Sequence, residues 1–285
     1  FRRWCAAQNR KFASILDASP DRLRKGKAIW KAMMLGETEF LTPSMKEDFR
    51  HSGTMHFFAI SGLHIGIMAT LLGLFLRFLR VPLQASPWVG LPLLFLFVQI
   101  TGNSPSAVRA WIMITFFWMA LAVGRKPSPL SAWVASALFT LLLFPRQLLN
   151  PGFQLSYAVV GMILLYGLPL AAWLSTRCKP FKYLPQDLQK PWHRSSSHGV
   201  TRFLESFAIS LAAFLISQPI SLYFFGLLSP VSLILNVFLV VLAFPVILSG
   251  MVCLIGGSIF PPAWFSILHW ATCLLLEFKL FLIQA

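Results

Sequence analysis

From Thr54 to Phe78 the only formal charge is Arg77, and His56 and His64 are the only other ionisable groups. A helix that crosses a bilayer needs roughly 20 predominantly apolar residues. This run supplies them, and others follow. The sequence predicts spans near 54–78, 87–101, 106–124, 129–145, 152–173, 203–226, 230–256 and 261–283. The second and fourth are short. A short span with polar residues at its end suits a re-entrant or broken helix. A soluble helical core would alternate charged faces with these runs, and none do. The chain is 57% hydrophobic and 12% charged, against about 45–50% and 25% for soluble domains. The expected fold class is therefore an all-α polytopic integral membrane protein with about eight membrane-embedded helices, some short or broken.

Residues 1–52 read as a basic, amphipathic lead-in lying on the membrane surface, and 53–285 as the transmembrane domain. Arg22, Arg24, Lys25, Lys27 and Lys31 surround or precede Ala32-Met33-Met34-Leu35, and Pro43 breaks the pattern. The chain opens at Phe1 with Arg2-Arg3 and has no apolar core with a small-residue cleavage site, so it reads as a fragment of a longer protein. Several helix starts share one signal: Ser104-Pro105, Ser128-Pro129, Asn150-Pro151 and Ser229-Pro230. Each puts a capping side chain before a proline whose missing N–H would have been unpaired anyway. The four cysteines, Cys5, Cys178, Cys253 and Cys273, have no paired spacing and suggest neither a metal cluster nor a disulfide framework.

Charge is one-sided, with 24 Lys and Arg against 9 Asp and Glu, a formal +15. Positive-inside topology and anionic lipid account for such an excess, and so does a polyanionic substrate. The placement of acids narrows the choice. No Asp or Glu occurs between Asp48 and Asp187. Proton pumps and cation-coupled transporters carry buried carboxylates as relays or ion ligands, and none is available there. A two-carboxylate hydrolase is excluded from the same region.

Three stretches could carry chemistry. The first is His56-Phe57-Phe58-Ala59-Ile60-Ser61-Gly62-Leu63-His64. On an unbroken helix Ser61 and His64 share a face. They read as polar glue between helices, as the lining of a pathway, or as nucleophile and base of an intramembrane hydrolase without a carboxylate to orient the base. The second is Gly102-Asn103-Ser104-Pro105-Ser106-Ala107-Val108-Arg109. A capped helix start with an arginine one turn in suits phosphate, though such an arginine also snorkels to lipid headgroups. The third, Asn150-Pro151-Gly152-Phe153-Gln154-Leu155-Ser156-Tyr157, repeats the design. Phe153 and Tyr157 could stack on bases or belong to the core. Later, Gln218 or Ser217 is expected to satisfy locally the carbonyl that Pro219 frees, and Asn236 reads as interhelical glue.

These stretches, in this order, resemble the signatures of the ComEC competence family. Gly53 and His56–His64 look like the first, Ser104–Ala110 the second and Pro151–Ser156 the third. Leu35-Gly36-Glu37 is similar to the family's lead-in, and Pro219, Phe225-Gly226, Ser229 and Asn236 to its later half; the likeness covers roughly 31–256. It implies a channel in the bacterial inner membrane that passes single-stranded DNA inward during natural transformation. On that footing His56, Ser61, His64, Ser104, Ser106, Arg109, Gln154, Ser156 and Asn236 are candidates for the DNA path. Implied partners are single-stranded DNA, membrane lipid, and a cytoplasmic motor or DNA-receptor protein of the uptake machinery. No catalytic residue, metal or cofactor is expected. Family members often carry an oligonucleotide-binding-like module before this domain, and some a metallo-β-lactamase-like domain after it; no His-rich motif here suggests a nuclease. A small-molecule permease or lipid flippase is the alternative from another class, and the intramembrane serine hydrolase a third.

Arg77, Arg80, Arg125 and Lys126 follow alternate spans, and Arg177, Lys179, Lys182, Lys190, Arg194 and Arg202 crowd the stretch 174–202. The opposite side holds only Arg109 and Arg146. Positive-inside then places 174–202 in the cytoplasm and the lead-in outside. A cysteine at Ser196 should resist an impermeant thiol reagent in intact cells; ready labelling would invert the topology.

Overall fold

The computed structural model describes residues 2–17, 24–36, 39, 41–51, 61–178, 191–226, 228–259, 268, 271–273 and 275–277. His56 and the start of the first expected span lie outside them, as do 179–190 and most of 261–283. Eleven α-helices run through the described residues: α1 Arg2–Asp17, α2 Arg24–Leu35, α3 Pro43–His51, α4 Gly62–Phe78, α5 Ser86–Ile100, α6 Pro105–Ala122, α7 Pro129–Leu143, α8 Pro151–Met162, α9 Leu168–Arg177, α10 Pro191–Phe225 and α11 Ser232–Ile259. A 3-10 turn at Pro145–Leu149 leads into α8, and a π-helical turn at Ile163–Gly167 joins α8 to α9. No strand occurs among the described residues.

Pro105–Ala122, Pro151–Arg177 and Gly199–Phe225 are long and apolar enough to cross a membrane, and only 17% of each apolar window is buried by protein. Apolar helices that leave most of their surface uncovered require lipid around them. Gly62–Phe78, Ser86–Ile100, Pro129–Leu143 and Ala243–Cys253 are shorter apolar helices. The chain is an all-α membrane protein.

The ends of these helices explain the sequence signals. Ser104 Oγ accepts from Ala107 N at 3.3 Å, Ser128 Oγ from Ser131 N at 3.3 Å, and Asn150 Oδ1 from Gly152 N at 2.8 Å. Each cap serves a helix whose first residue is proline. Between α5 and α6 the backbone turns through Gly102 (φ 91°) and Asn103 (φ 54°), and Asn103 N donates to Val98 O at 2.9 Å. That left-handed pair satisfies the last carbonyls of α5 and delivers Ser104 into its capping position.

Three expectations change. α4 begins at Gly62, with Ser61 extended at its N-cap (φ −97°, ψ 169°), so Ser61 and His64 meet at a helix start rather than on an unbroken helix. The stretch 174–202 is helical at both ends, because α9 runs to Arg177 and α10 starts at Pro191. At 1.5 Å per residue α10 is about 50 Å long, well beyond a hydrocarbon core of about 30 Å, so part of it stands clear of the membrane. α2 is more enclosed by protein than a basic amphipathic stretch suggests. Ile29, Trp30, Ala32, Met33, Met34 and Leu35 are all buried, as are Lys27 and Lys31. It packs on α1 and α11, and a Cβ on Gly250 of α11 would lie 2.6 Å from Met34 Sδ.

Short connections make α4 to α8 successively antiparallel. The N-termini of α4, α6 and α8 therefore share one end, here the motif end. Arg77, Arg80, Arg125, Lys126 and Arg177 collect at the other, the basic end. α4 packs on α6, α6 on α8, α8 on α10, α10 on α11, and α11 touches α4. These five close a ring. Across it, among the described residues, no pair makes more than marginal contact.

Small residues let the surrounding helices approach. A Cβ on Gly161 of α8 would lie 2.5 Å from the indole of Trp133 on α7, whose Nε1 donates to Tyr157 O at 3.0 Å. Gly161→Leu should destabilise the fold by about 1–3 kcal/mol through overpacking, read as a lower unfolding temperature in detergent. An unchanged transition would show that this seam is not close-packed.

Candidate functional site

The motif end brings the three stretches together. Ser61 Oγ lies 2.8 Å from His64 Nδ1, and Ser61 N donates to the same nitrogen at 3.4 Å. The hydroxyl and the peptide N–H of Ser61 thus converge on one ring nitrogen. His64 is buried. Gly62 faces α6 closely enough that a Cβ there would lie 3.5 Å from Ala110 Cβ.

Ala110 adjoins Arg109, which is only 8% exposed. Arg109 Nη2 donates to Gly152 O at 2.9 Å, so the second stretch is bonded to the third. Gly152 in turn donates to the capping Asn150. Arg109 Nε is covered and has no partner among the described residues. The guanidinium is thus committed to the protein on one nitrogen and shielded at another. This differs from the open donor fork expected for phosphate, because the α8 N-terminus packs over it. Gln154 Nε2 donates to Leu148 O at 2.9 Å and ties the 3-10 turn to α8. Ser104, Ser106 and Ser156 are half-buried around the same helix starts.

Other candidates are placed differently. Phe153 and Tyr157 are both buried, with ring centroids 4.4 Å apart and Tyr157 Oη 3.2 Å from Thr140 Oγ1. They belong to the α7–α8 seam and offer no free face to a base. Asn236 sits apart, on α11, with Oδ1 covered and unpartnered among the described residues. Gln218 does not serve its own helix. Its Oε1 accepts from Ser229 N at 3.1 Å and its Nε2 donates to Ser232 Oγ at 3.4 Å, whereas Ser217 Oγ donates to Phe214 O at 3.3 Å. Residue type gave Gln218 as polar, but only the fold shows what it reaches. Asn9 Nδ2, which donates to Ile100 O at 2.8 Å and ties α1 to the motif end, carries no sequence signal at all.

Chemically this is an arrangement of oriented dipoles and neutral polar groups. Three helix N-termini lie at one end, each with the positive end of its dipole there. Among the described residues no cluster of His, Cys, Asp and Glu could hold a metal. Ser61 and His64 have nucleophile-and-base spacing, yet no carboxylate exists between Asp48 and Asp187 to orient the imidazole.

A bundle of apolar helices with capped, polar helix starts gathered at one end and cations at the other defines an all-α membrane protein. Its sequence identifies it further. A family model described as competence protein matches residues 33–285, and the chain belongs to that family. It is 32% identical over 139 residues to ComE operon protein 3 of Bacillus subtilis (strain 168), a match covering 48% of this chain and 18% of that protein. No solved structure matches the chain.

The Arg109–Gly152 bond makes the second and third stretches interdependent. Arg109→Ala should cost about 1.5–3 kcal/mol, the range for a charge-assisted hydrogen bond. Asn150→Ala should cost about 1 kcal/mol as a lost cap. Because both act on the first turn of α8, the double variant should lose less than the sum. Unfolding in detergent measures all three; strict additivity would show that the two residues do not share that turn.

Proposed function

We propose that this chain forms the membrane conduit of a DNA-uptake system, a multi-pass component of the bacterial inner membrane that passes single-stranded DNA inward during natural transformation. The observation that carries this reading is the closed ring of α4, α6, α8, α10 and α11, with the three family signatures at its motif end. Five helices spaced about 10 Å apart leave an axial space roughly 7 Å across once helix radii of about 5 Å are subtracted. A duplex cannot enter such a space, since its major groove alone is about 12 Å wide. A single strand, with one backbone instead of two, is the nucleic acid such a ring would admit on widening.

Electrostatics support the same cargo. The first four apolar helices of the bundle and α8–α9 lie in the stretch free of Asp and Glu, so the ring presents little charge that would repel phosphates. In this reading the polar starts of α4, α6 and α8 receive the strand, with Ser61, His64, Ser104, Ser106, Gln154 and Ser156 at the path. Arg109 adds long-range positive potential from beneath the surface. The chain performs no covalent step. Membrane lipid surrounds it, and a cytoplasmic motor or DNA-receptor protein would act from the basic end.

The hydrolase is the one rival with a specific observation behind it, the 2.8 Å contact between Ser61 Oγ and His64 Nδ1. The two readings separate on substitution. Ser61→Ala removes the hydroxyl, costing about 1 kcal/mol as a lost cap, and should leave transformation within about threefold of wild type. Ser61→Leu puts bulk beside Gly62 and should be severe. His64→Gln should retain more uptake than His64→Leu, since it can still hydrogen-bond. Transformation frequency normalised to membrane abundance is the measurement. If Ser61→Ala is as inactive as Ser61→Leu in folded protein, the hydroxyl does chemistry and the conduit reading of this site falls.

A further inference from the structure

The connection between α10 and α11 runs backwards. α10 closes at Gly226 (φ 63°), whose N–H donates to Leu222 O at 3.0 Å, the left-handed helix end that favours glycine. Ser229 N then donates to Gln218 Oε1, and Gln218 Nε2 donates to Ser232 Oγ. Ser232 Oγ donates onward to Ser229 O at 2.7 Å. Gln218 lies two turns before Phe225, about 10 Å along the axis at 1.5 Å per residue. Only three residue steps separate Gly226 from Ser229, a reach of about 10 Å even when fully extended. The Gln218 amide therefore reaches up along α10 to meet Ser229, which lies about one turn below the end of that helix.

That last turn reads Leu222-Tyr223-Phe224-Phe225, with Tyr223 83% exposed. An exposed tyrosine at a helix end marks the level of the lipid headgroups. The non-helical backbone at Ser229, about one turn inward, is then at the edge of the hydrocarbon, where it persists only if buried in protein or beside a watered path. Ser229 and Ser232 are both buried. Leu228 and Val231 beside them are 59% exposed by the protein, and they face lipid at that depth.

We propose that Gln218 is a positioning residue that hooks this connection into the membrane and thereby fixes the register of α11 against α10. The inference rests on the conduit reading. α11 is the helix that completes the ring, through its touch on α4. Its height along α10 decides whether that seam stays shut and where Asn236, one turn below Ser232, stands in the wall. Gln218 has both functions the hook needs, an acceptor for a peptide N–H and a donor for a hydroxyl. Pro219 beside it cannot donate a backbone hydrogen bond, and the amide of Gln218 is turned outward to the neighbouring strand of chain.

Two substitutions test the hook in the full-length protein. Gln218→Met keeps the volume and removes both hydrogen bonds. Gln218→Glu keeps the side chain's length and its acceptor for the Ser229 N–H. The first readout is labelling of Leu228→Cys, with the four native cysteines replaced, by an impermeant thiol reagent from the motif end. The second is transformation frequency normalised to abundance. Gln218→Met should raise labelling and cut transformation, each about tenfold, as the freed connection rises to water; Gln218→Glu should stay within about threefold of the parent in both. Labelling that rises while transformation holds overturns the role in passage. Labelling that does not change overturns the hook itself. If Gln218→Met fails to accumulate, Ser232→Ala removes one partner only: intermediate shifts in both readouts support the proposal, and none overturns it. A parent protein that transports no DNA would sink the conduit reading, while the labelling arm would still decide the hook.

Discussion

A peptide group in hydrocarbon has no water to bond, and the apolar helices of this protein are built under that constraint. The cost of an unmet N–H or C=O at membrane depth is several kcal/mol, as large as the stability of a small domain. The chain therefore closes its helices chemically. Ser104, Ser128 and Asn150 cap the first turns, and prolines stand where an N–H would have been orphaned. At other ends the chain enters left-handed backbone, at Arg80, Asn103, Gly124 and Gly226, so that the next N–H folds back onto the last carbonyls. Indole groups are spent the same way: Trp111 Nε1 bonds Leu91 O and Trp133 Nε1 bonds Tyr157 O.

The candidate site is a consequence of this economy. Its polar residues are occupied first with the fold. Ser61 holds His64, Arg109 holds Gly152, and Gln154 holds Leu148. What remains for a ligand is the ends of three helices fixed side by side. A donor array that is rigid before its ligand arrives avoids the entropy of ordering side chains on binding. For a cargo that must also leave, rigid and individually weak contacts are better than deep ones, since a strand held by open arginine forks at each step would stall.

Fold class was legible in the sequence because apolar run length is a physical requirement of the bilayer, and the helix starts were legible because capping is local. Ser104, Ser128 and Asn150 cap where the cap–proline pairs put them. What escaped is what depends on packing between distant segments. α2 reads as a basic amphipathic stretch, yet Trp30 and Met34 are enclosed because α1 and α11 fold over them. Arg109 reads as an anion ligand or a snorkelling side chain, and its bond to Gly152 depends on α8 lying against it. Of the two readings of Phe153 and Tyr157, stacking platform or core, the α7 seam that covers them favours the core. Gln218 has a proline beside it and so suggests a local repair, but its partners come from a connection that turns back. Backbone periodicity contains no information about which side chain a loop will return to.

The two ends of the ring differ in kind as well as in sign. At the motif end the positive potential comes from helix dipoles, about half an elementary charge per N-terminus and spent within a turn, with Arg109 and Arg146 beside them. At the basic end it comes from a cluster of full charges on Arg77, Arg80, Arg125, Lys126 and Arg177. On the proposed reading a polyanion meets mostly short-range, partial charge first and the larger cluster of full charges last. The first favours entry of individual phosphates without trapping them. The second lowers the energy of the strand as it emerges, over a reach limited by screening to about 8–10 Å. Cations at the proposed exit also match the orientation that membrane insertion imposes on short loops, so on that reading one distribution of lysine and arginine serves both topology and direction. Between the two ends the α4–α9 region holds no acid. A carboxylate there would cost desolvation in the protein and repulsion in the path, and nothing in passing a strand through a ring of dipoles calls for one.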